Sequence, residues 1–266
     1  MGLTWFITGC SSGFGESFVR QLRAAGDNVI ATGRNAQARL SHLEGTGAVI
    51  LDLDVTAPPE AIKNKIDEAW SIYDGIDVIV NNAGFILSGP FEEQSQQDME
   101  RSLQVNLHGP LNITRAILPH FKKRKSGTLL YVSSQAAWHS DPSASSYCAS
   151  KFALEVEPGY CRTPVFDKVQ YVTGSVPEYS QFNEAVRSGV STLSTTSPGN
   201  PEMAVARMIE LVKGIGFAEG KTVPLRVPLG SDCWERVKAK CEETLEICNG
   251  WEGIARSTDY KTGSQA

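Results

Sequence analysis

Tyr147 and Lys151 stand four residues apart in Tyr147-Cys148-Ala149-Ser150-Lys151. On a helix that spacing puts both side chains on one face. An unperturbed phenol releases its proton near pH 10, too high for easy exchange at neutral pH. An ammonium beside it favours the phenolate and lowers that value, which suits general acid–base catalysis. Taken alone, the pair is equally the solvated face of an ordinary helix. A second set of residues gives it company. Thr8-Gly9-Cys10-Ser11-Ser12-Gly13-Phe14-Gly15 follows a short apolar run and opens a helical pattern. Gly9 permits a sharp turn, Gly13 lets backbone approach a pyrophosphate, and Gly15 lets helix and strand pack closely. The free N–H groups and positive dipole end of the helix would face the phosphates. A plain strand–helix turn would not need three glycines.

The second apolar run ends at Ala31-Thr32-Gly33-Arg34-Asn35. Rossmann units that take NAD usually carry an acid there, on the ribose hydroxyls. Here the acid is absent and a guanidinium follows, able to pair with a 2′-phosphate. The expected cofactor is therefore NADP(H), the alternative being that Arg34 is a solvated loop residue. Asp54 lies just past the third run, Asn81-Asn82-Ala83-Gly84 follows the fourth, and Ser133-Ser134 ends the fifth. The carboxyl ends of parallel strands are where ligands bind in such sheets.

These residues need a scaffold, and the chain alternates the patterns for one. Short continuous apolar runs at 3–8, 28–32, 48–51, 77–80 and 128–132 read as buried strands. Helical periodicity covers 16–25, 59–73 and about 96–123. Continuous rather than alternating apolar strands belong to a parallel sheet covered on both faces. The reading is α/β, a Rossmann-like doubly wound parallel sheet in the order 3-2-1-4-5. Residues 1–266 form one domain, with 3–157 as the cofactor and catalytic core and 158–266 as the substrate loop and C-terminal part. Residues 188–201, rich in Ser, Thr, Pro and Gly, read as a surface loop.

Bulk properties exclude other classes. The chain has 266 residues, 41% of them hydrophobic and 21% charged, with a net charge of −5. No basic block offers itself to nucleic acid or an anionic membrane. No apolar run reaches bilayer length, and the N-terminus lacks a signal-peptide pattern, so a cytoplasmic protein is expected. The six cysteines form no C-x-x-C pair. They read as buried or free thiols, with no metal site and no disulfide.

In order, the glycine-rich turn, Asn81-Asn82-Ala83-Gly84, Asn106, Ser134, Tyr147 and Lys151 resemble the short-chain dehydrogenase/reductases. The likeness runs from residue 3 to about 155 and resumes at Glu157-Pro158-Gly159, with Thr163 beyond. Pro228-Leu229-Gly230-Ser231-Asp232, Trp251 and Ser257-Thr258-Asp259-Tyr260 are similar to a 17β-hydroxysteroid-dehydrogenase-like subgroup. The resemblance implies an NADP-dependent oxidoreductase moving hydride between NADP(H) and a carbonyl or secondary alcohol of a small molecule. In it Tyr147 exchanges the proton, Lys151 tunes Tyr147 and bonds the nicotinamide ribose, and Ser134 polarises the substrate oxygen. Asn106 supports a proton-relay water. Gly9, Ser11, Ser12, Gly13, Phe14 and Gly15 hold the cofactor. Asp54 and Asn82 face its adenosine half, and Val156 and Thr163 lie by the nicotinamide amide. Arg115 is a cofactor contact in some relatives and a surface arginine otherwise. A homo-oligomer is usual for the family, built partly on the helix that carries Tyr147.

One feature departs from the pattern. Only six residues separate Lys151 from Pro158. A helix with a return crossover to a parallel strand needs at least ~10–12. The sixth strand and part of its preceding helix are therefore expected to be missing, through a processing error or a tolerated deletion. The helix bearing Tyr147 should stop within about two turns of Lys151, because Pro158 disfavours helix at Glu157. The last strand, at 223–227, would then pair with the fifth strand, pair with 155–157 stretched into a makeshift strand, or hang loose. The alternative to a working enzyme is an inactive remnant that binds dinucleotide without turnover. Residues 171–183 and 188–201 are expected over the substrate site, with Tyr171, Tyr179 and Phe182 favouring an apolar molecule. Trp138 and His139 are candidate pocket residues, with packing as the alternative for Trp138.

Overall fold

The structure is a computed structural model that describes residues 2–139, 141, 143–152, 156–174 and 176–259. Five parallel strands form the main sheet: β1 (Thr4–Ile7), β2 (Asn28–Gly33), β3 (Val49–Asp52), β4 (Val78–Asn81) and β5 (Thr128–Tyr131). Their spatial order is β3-β2-β1-β4-β5, as the alternating pattern requires. Every residue of β1 and β4 is buried. Successive side chains in a strand point to opposite faces. Trp5 and Ile7 thus join one core with Phe18, Leu22, Val205 and Met208, while Phe6 joins another with Ile62, Ile66, Ile113 and Ile117.

These two cores place helices on both sides of the sheet. α1 (Gly13–Ala24) follows β1, and α2 (Pro59–Ile72) follows β3. α3 (Gln96–Leu103) opens on a Ser95/Asp98 capping box and runs through a π-helical turn at Gln104–His108 into α4 (Gly109–Arg124). α5 (Ser145–Lys151) carries the Tyr147/Lys151 pair and stops at Lys151, within the expected limit. Residues 153–155, in the stretch where the shortening was read, lie outside the described residues.

The expected loss of a sixth strand is corrected. β6 (Val156–Pro158) stands beside the end of β5 and pairs in parallel with β7 (Val227–Leu229). Val132 bridges Val156, and Ser133 N–H donates to the Val156 carbonyl at 2.6 Å. The physical reason lies in where the crossover is counted. A parallel crossover runs from strand to strand, and the 24 residues from Val132 to Glu155 exceed the minimum. A two-turn helix leaves the chain near the carboxyl end of the sheet, so β6 covers only that end of β5. Among the described residues, Thr128–Tyr131 pair only with β4. The last strand is Val227–Leu229 rather than 223–227, the makeshift pairing among the three expected.

The remaining helices are α6 (Ser180–Ser191), α7 (Pro201–Lys213) and α8 (Ser231–Arg256). α6, with a short turn of helix at Leu193–Thr196, takes up much of 188–201, which is therefore helical rather than a loop. α7 starts at an Asn200 cap and packs with α1. No helix among the described residues is long and apolar enough to cross a membrane.

Candidate active site

The glycine turn has the conformation its sequence demands. Gly9 has φ +72° and Gly13 φ +61°, both favouring glycine. A Cβ on Gly9 would lie 2.8 Å from Ala83 Cα, so the turn also needs glycine to pack on the β4 loop. Asn82 pins the two together, its Nδ2 donating to the carbonyls of Thr8 at 2.8 Å and Gly9 at 3.2 Å. Gly15 serves the close packing of α1 on the turn expected of it rather than the wall of the cleft. A Cβ there would lie 2.3 Å from the Gly9 carbonyl oxygen.

A cleft of about 390 Å³ starts at this turn and crosses the carboxyl end of the sheet. Gly9, Ser11, Ser12, Gly13 and Phe14 line one side. Asp54, Asn82 and Arg34 continue the wall, and Ser134, Tyr147, Lys151 and Thr163 stand along it. Asp54 accepts from the Thr56 N–H at 2.9 Å and hydroxyl at 2.8 Å. Arg34 and Arg39 flank one end, both exposed, and neither guanidinium has a hydrogen bond or ion pair among the described residues. Arg39 comes from the short helix Ala36–Arg39 and was not read from sequence. Lys168 is another addition, its ammonium donating to the Ser12 hydroxyl at 3.1 Å across the turn.

Two further expectations are corrected, for Val156 and for the 171–182 aromatics, and Arg115 takes the surface alternative. Val156 is buried in the core on the β6 ladder and does not line the cleft. Its side chain packs with the sheet, and Gly159, Tyr160 and Cys161 beyond it line the cleft instead. Arg115 lies exposed on α4, away from the cleft, donating to Asn112 at 3.0 Å one turn earlier. Tyr171, Tyr179 and Phe182 do not line the cleft either. Tyr171 faces Arg187, Tyr179 donates to Glu92 at 2.7 Å, and Val190 and Leu193 of the same region reach the cleft. His139 lines the cleft, whereas Trp138 packs under Arg226 and donates to Glu157 at 2.5 Å.

The polar centre is tightly arranged. Ser133 spends its hydroxyl on the Lys151 carbonyl at 2.8 Å, whereas Ser134 hydrogen-bonds the Tyr147 phenol. Asn106 is fully buried in the π-helical turn, an irregularity often found at functional sites. It holds the Phe85 backbone from both amide atoms, at 3.0 and 3.1 Å, and donates to Ser150 at 3.3 Å. Gly84 separates Asn106 from Lys151. A Cβ at Gly84 would sit 3.1 Å from Asn106 Oδ1 and 3.7 Å from Lys151 Nζ.

Lys151 Nζ lies 5.7 Å from the Tyr147 ring centre and donates to the Val132 carbonyl at 2.9 Å. Burial brings this ammonium down to about 8. Burial also pushes the Tyr147 phenol up to about 12, against the Ser134 hydrogen bond that pulls it down. The expected lowering of the phenol by Lys151 does not appear: the phenol's own burial dominates it, and Lys151 is turned to the Val132 carbonyl.

The sequence pattern described as short chain dehydrogenase matches residues 4–169. The chain belongs to this family. It is similar to oxidoreductase calM of Penicillium decumbens, 29% identical over 91% of this chain and 88% of that protein. The crystal structure of a short-chain dehydrogenase from Streptomyces avermitilis is 30% identical, with a TM-score of 0.82 over 97% of this chain and 98% of that one. A member from Burkholderia phymatum, solved in complex with NAD, shares the fold at 19% identity and a TM-score of 0.76, covering 92% and 95% of the two chains. The oxidoreductase class of the family and its Rossmann fold thus hold for this chain.

Proposed function

We propose that this short-chain dehydrogenase is a working NADP(H)-dependent oxidoreductase acting on the carbonyl or secondary alcohol of a small, apolar molecule. The observation that carries the proposal is one continuous cleft joining the glycine turn, Arg34 and the Ser134/Tyr147/Lys151 cluster. The cradle fits a dinucleotide. Gly9 and Gly13 keep backbone open at the start of α1, where free N–H groups favour phosphate. Arg34 and Arg39 stand at the end where a 2′-phosphate would need a partner, unpaired among the described residues, and no acid occupies the position after β2. When bound, NADPH supplies the hydride; this chain supplies position and the proton.

Ser134 is assigned to hold the substrate oxygen through its hydroxyl. Tyr147 donates the proton in reduction and accepts it in oxidation. Lys151 supports Tyr147 and the ribose, and Asn106 fixes the turn beside Lys151. Thr163 and Lys168 close the cleft from the segment after β6. The apolar lining by Phe85, Ile86, Val190 and Leu193 favours an apolar substrate, in keeping with the C-terminal likeness to 17β-hydroxysteroid-dehydrogenase-like members.

A second reading rests on the short connection after Tyr147 and Lys151. Only six residues separate Lys151 from Pro158, so the helix that carries the pair has little chain to hold it in place. In that reading the chain binds dinucleotide without turnover. The test is loss of NADPH absorbance over a panel of apolar ketones and aldehydes, run beside cofactor titration by fluorescence. Turnover of at least one substrate supports the proposal. Tight NADPH binding with no turnover on the whole panel selects the second reading.

A further inference from the structure

Cys233 is the buried residue of α8; from Ala239 to Arg256 every residue is exposed. That stretch projects about 27 Å at the α-helical rise. A Cβ on Gly250 or Gly253 would meet nothing within 4 Å. An isolated helix of this length, with two glycines, is marginal in water. It is also not a polar helix. Trp234, Leu245, Ile247, Trp251 and Ile254 are 51–62% exposed. Spacings of three and four residues join Trp234, Val237, Cys241, Cys248, Trp251 and Ala255 into one seam, with Thr244 filling the remaining place. Leu245, Ile247 and Ile254 flank it. This is the pattern of a helix that pairs with another helix.

We propose that α8 pairs antiparallel with α8 of a second copy of this chain, forming a two-helix interface outside the catalytic domain. Charge and residue type select the orientation. In the antiparallel register Val237 faces Ala255, Cys241 faces Trp251, and Thr244 faces Cys248. Leu245 and Ile247 meet their own counterparts at the dyad. On one flank Lys238 of one copy then lies beside Glu252 of the other, while on the opposite flank Lys240 lies beside Ile254. A parallel pair would instead set Ile247 against Glu252 and Lys240 against Leu245. Within one helix, Lys238 reaches Glu242 at 3.8 Å, an exposed pair that adds little and is readily exchanged. The rest of the helix carries Glu242, Glu243 and Glu246, which disfavour an anionic lipid surface. The interface the family resemblance implied, on the Tyr147 helix, is small here. α5 has 7 residues and buries Ser146, Cys148, Ser150 and Lys151 within its own fold. A closed two-fold pair of this kind is also the commonest form of oligomer.

Sedimentation velocity of the full chain tests the proposal. The unmutated protein should run as a dimer of the 28.9 kDa chain. Leu245→Asp with Ile247→Asp should give a monomer whose far-ultraviolet circular dichroism retains the sheet signature. Lys238→Glu alone should weaken association by about tenfold, and adding Glu252→Lys to the same chain should restore it. A monomer at every concentration overturns the proposal, as does a dimer that survives the Asp pair. Failure of the charge swap to rescue overturns the antiparallel register. A monomer that instead binds neutral phosphatidylcholine vesicles through α8 assigns the face to lipid and also overturns it.

Discussion

All four residues of β1 are buried, whereas none of the three in β7 is. The two ends of the molecule are held together by different means. β1 to β5 share parallel ladders and two apolar cores, one on each face. β6 is buried too, with Val156 in the first core, and the half-buried β7 is tied to it by a ladder and a clasp of polar side chains. Glu157 is fully buried and is engaged by Arg226 and by Trp138. Cys233 donates to the Glu157 carbonyl at 3.0 Å, and Asp232 accepts from the Tyr160 N–H at 2.7 Å. Where burial is extensive, pattern and packing suffice. Where a strand has three residues and its neighbour is only half-buried, a few directional contacts must help fix the pair, and each matters more.

That difference can be broken on either side. Phe18→Ala, in the core between α1 and the sheet, should cost about 3–5 kcal/mol in denaturant unfolding. Leu245→Ala on α8, measured below the association concentration, should change stability by less than about 0.5 kcal/mol. Equal losses would erase the distinction between the two ends. Arg226→Ala should cost about 3 kcal/mol, because it leaves the buried Glu157 carboxylate short of its cation. A loss no larger than that of a surface change would show that the clasp does not hold β6.

A smaller effect sharpens the comparison at the polar centre. Lys151 has a folded value of about 8, below its ordinary 10.5. The unfolded chain therefore binds more protons between about pH 8 and 10.5, and stability should rise with pH through that window. The cost is fully present below pH 8. Tyr147, raised from 10.0 to about 12, acts in the opposite sense above pH 10, where stability should fall. Lys151→Met should raise the melting temperature at pH 7 by a few degrees, on the order of 2–4 °C per kcal/mol, and flatten the rise from pH 8 to 10. A rise that survives in the variant would place its origin elsewhere. Smaller still, Arg34→Asp should erase or invert a preference for NADPH over NADH of about tenfold, near 1.4 kcal/mol. Equal binding of both cofactors by the unmutated chain would remove Arg34 from the account.

The sequence was most readable where periodicity and burial agree. The runs at β1, β2, β4 and β5 each lie within a residue or so of the structure, because apolar strands in a covered sheet have no other pattern. The turn from Gly9 to Phe14 was equally plain, since its glycines answer to φ values and close approaches. Val156 was misread by its offset from Pro158-Gly159, because a sequence does not show that a three-residue strand must spend it on the core. Arg115 stays open in the sequence, because only the rotation of its helix shows that it faces solvent. Arg39 and Lys168 were missed because each reaches the cleft from an element whose place depends on folding elsewhere. The Ser- and Thr-rich composition of 188–201 masked helix that α6 and its extension supply.

Tyr147 is proposed to exchange the proton in an NADP(H) site built from this chain's own residues. Tyr147→Phe removes one oxygen and leaves the glycine turn, Arg34 and Lys151 in place. With a substrate that the unmutated chain reduces, the variant should bind NADPH within about twofold of the unmutated affinity and lose turnover by at least ~10²-fold. A Tyr147→Phe protein that reduces the same substrate at the unmutated rate would contradict the account.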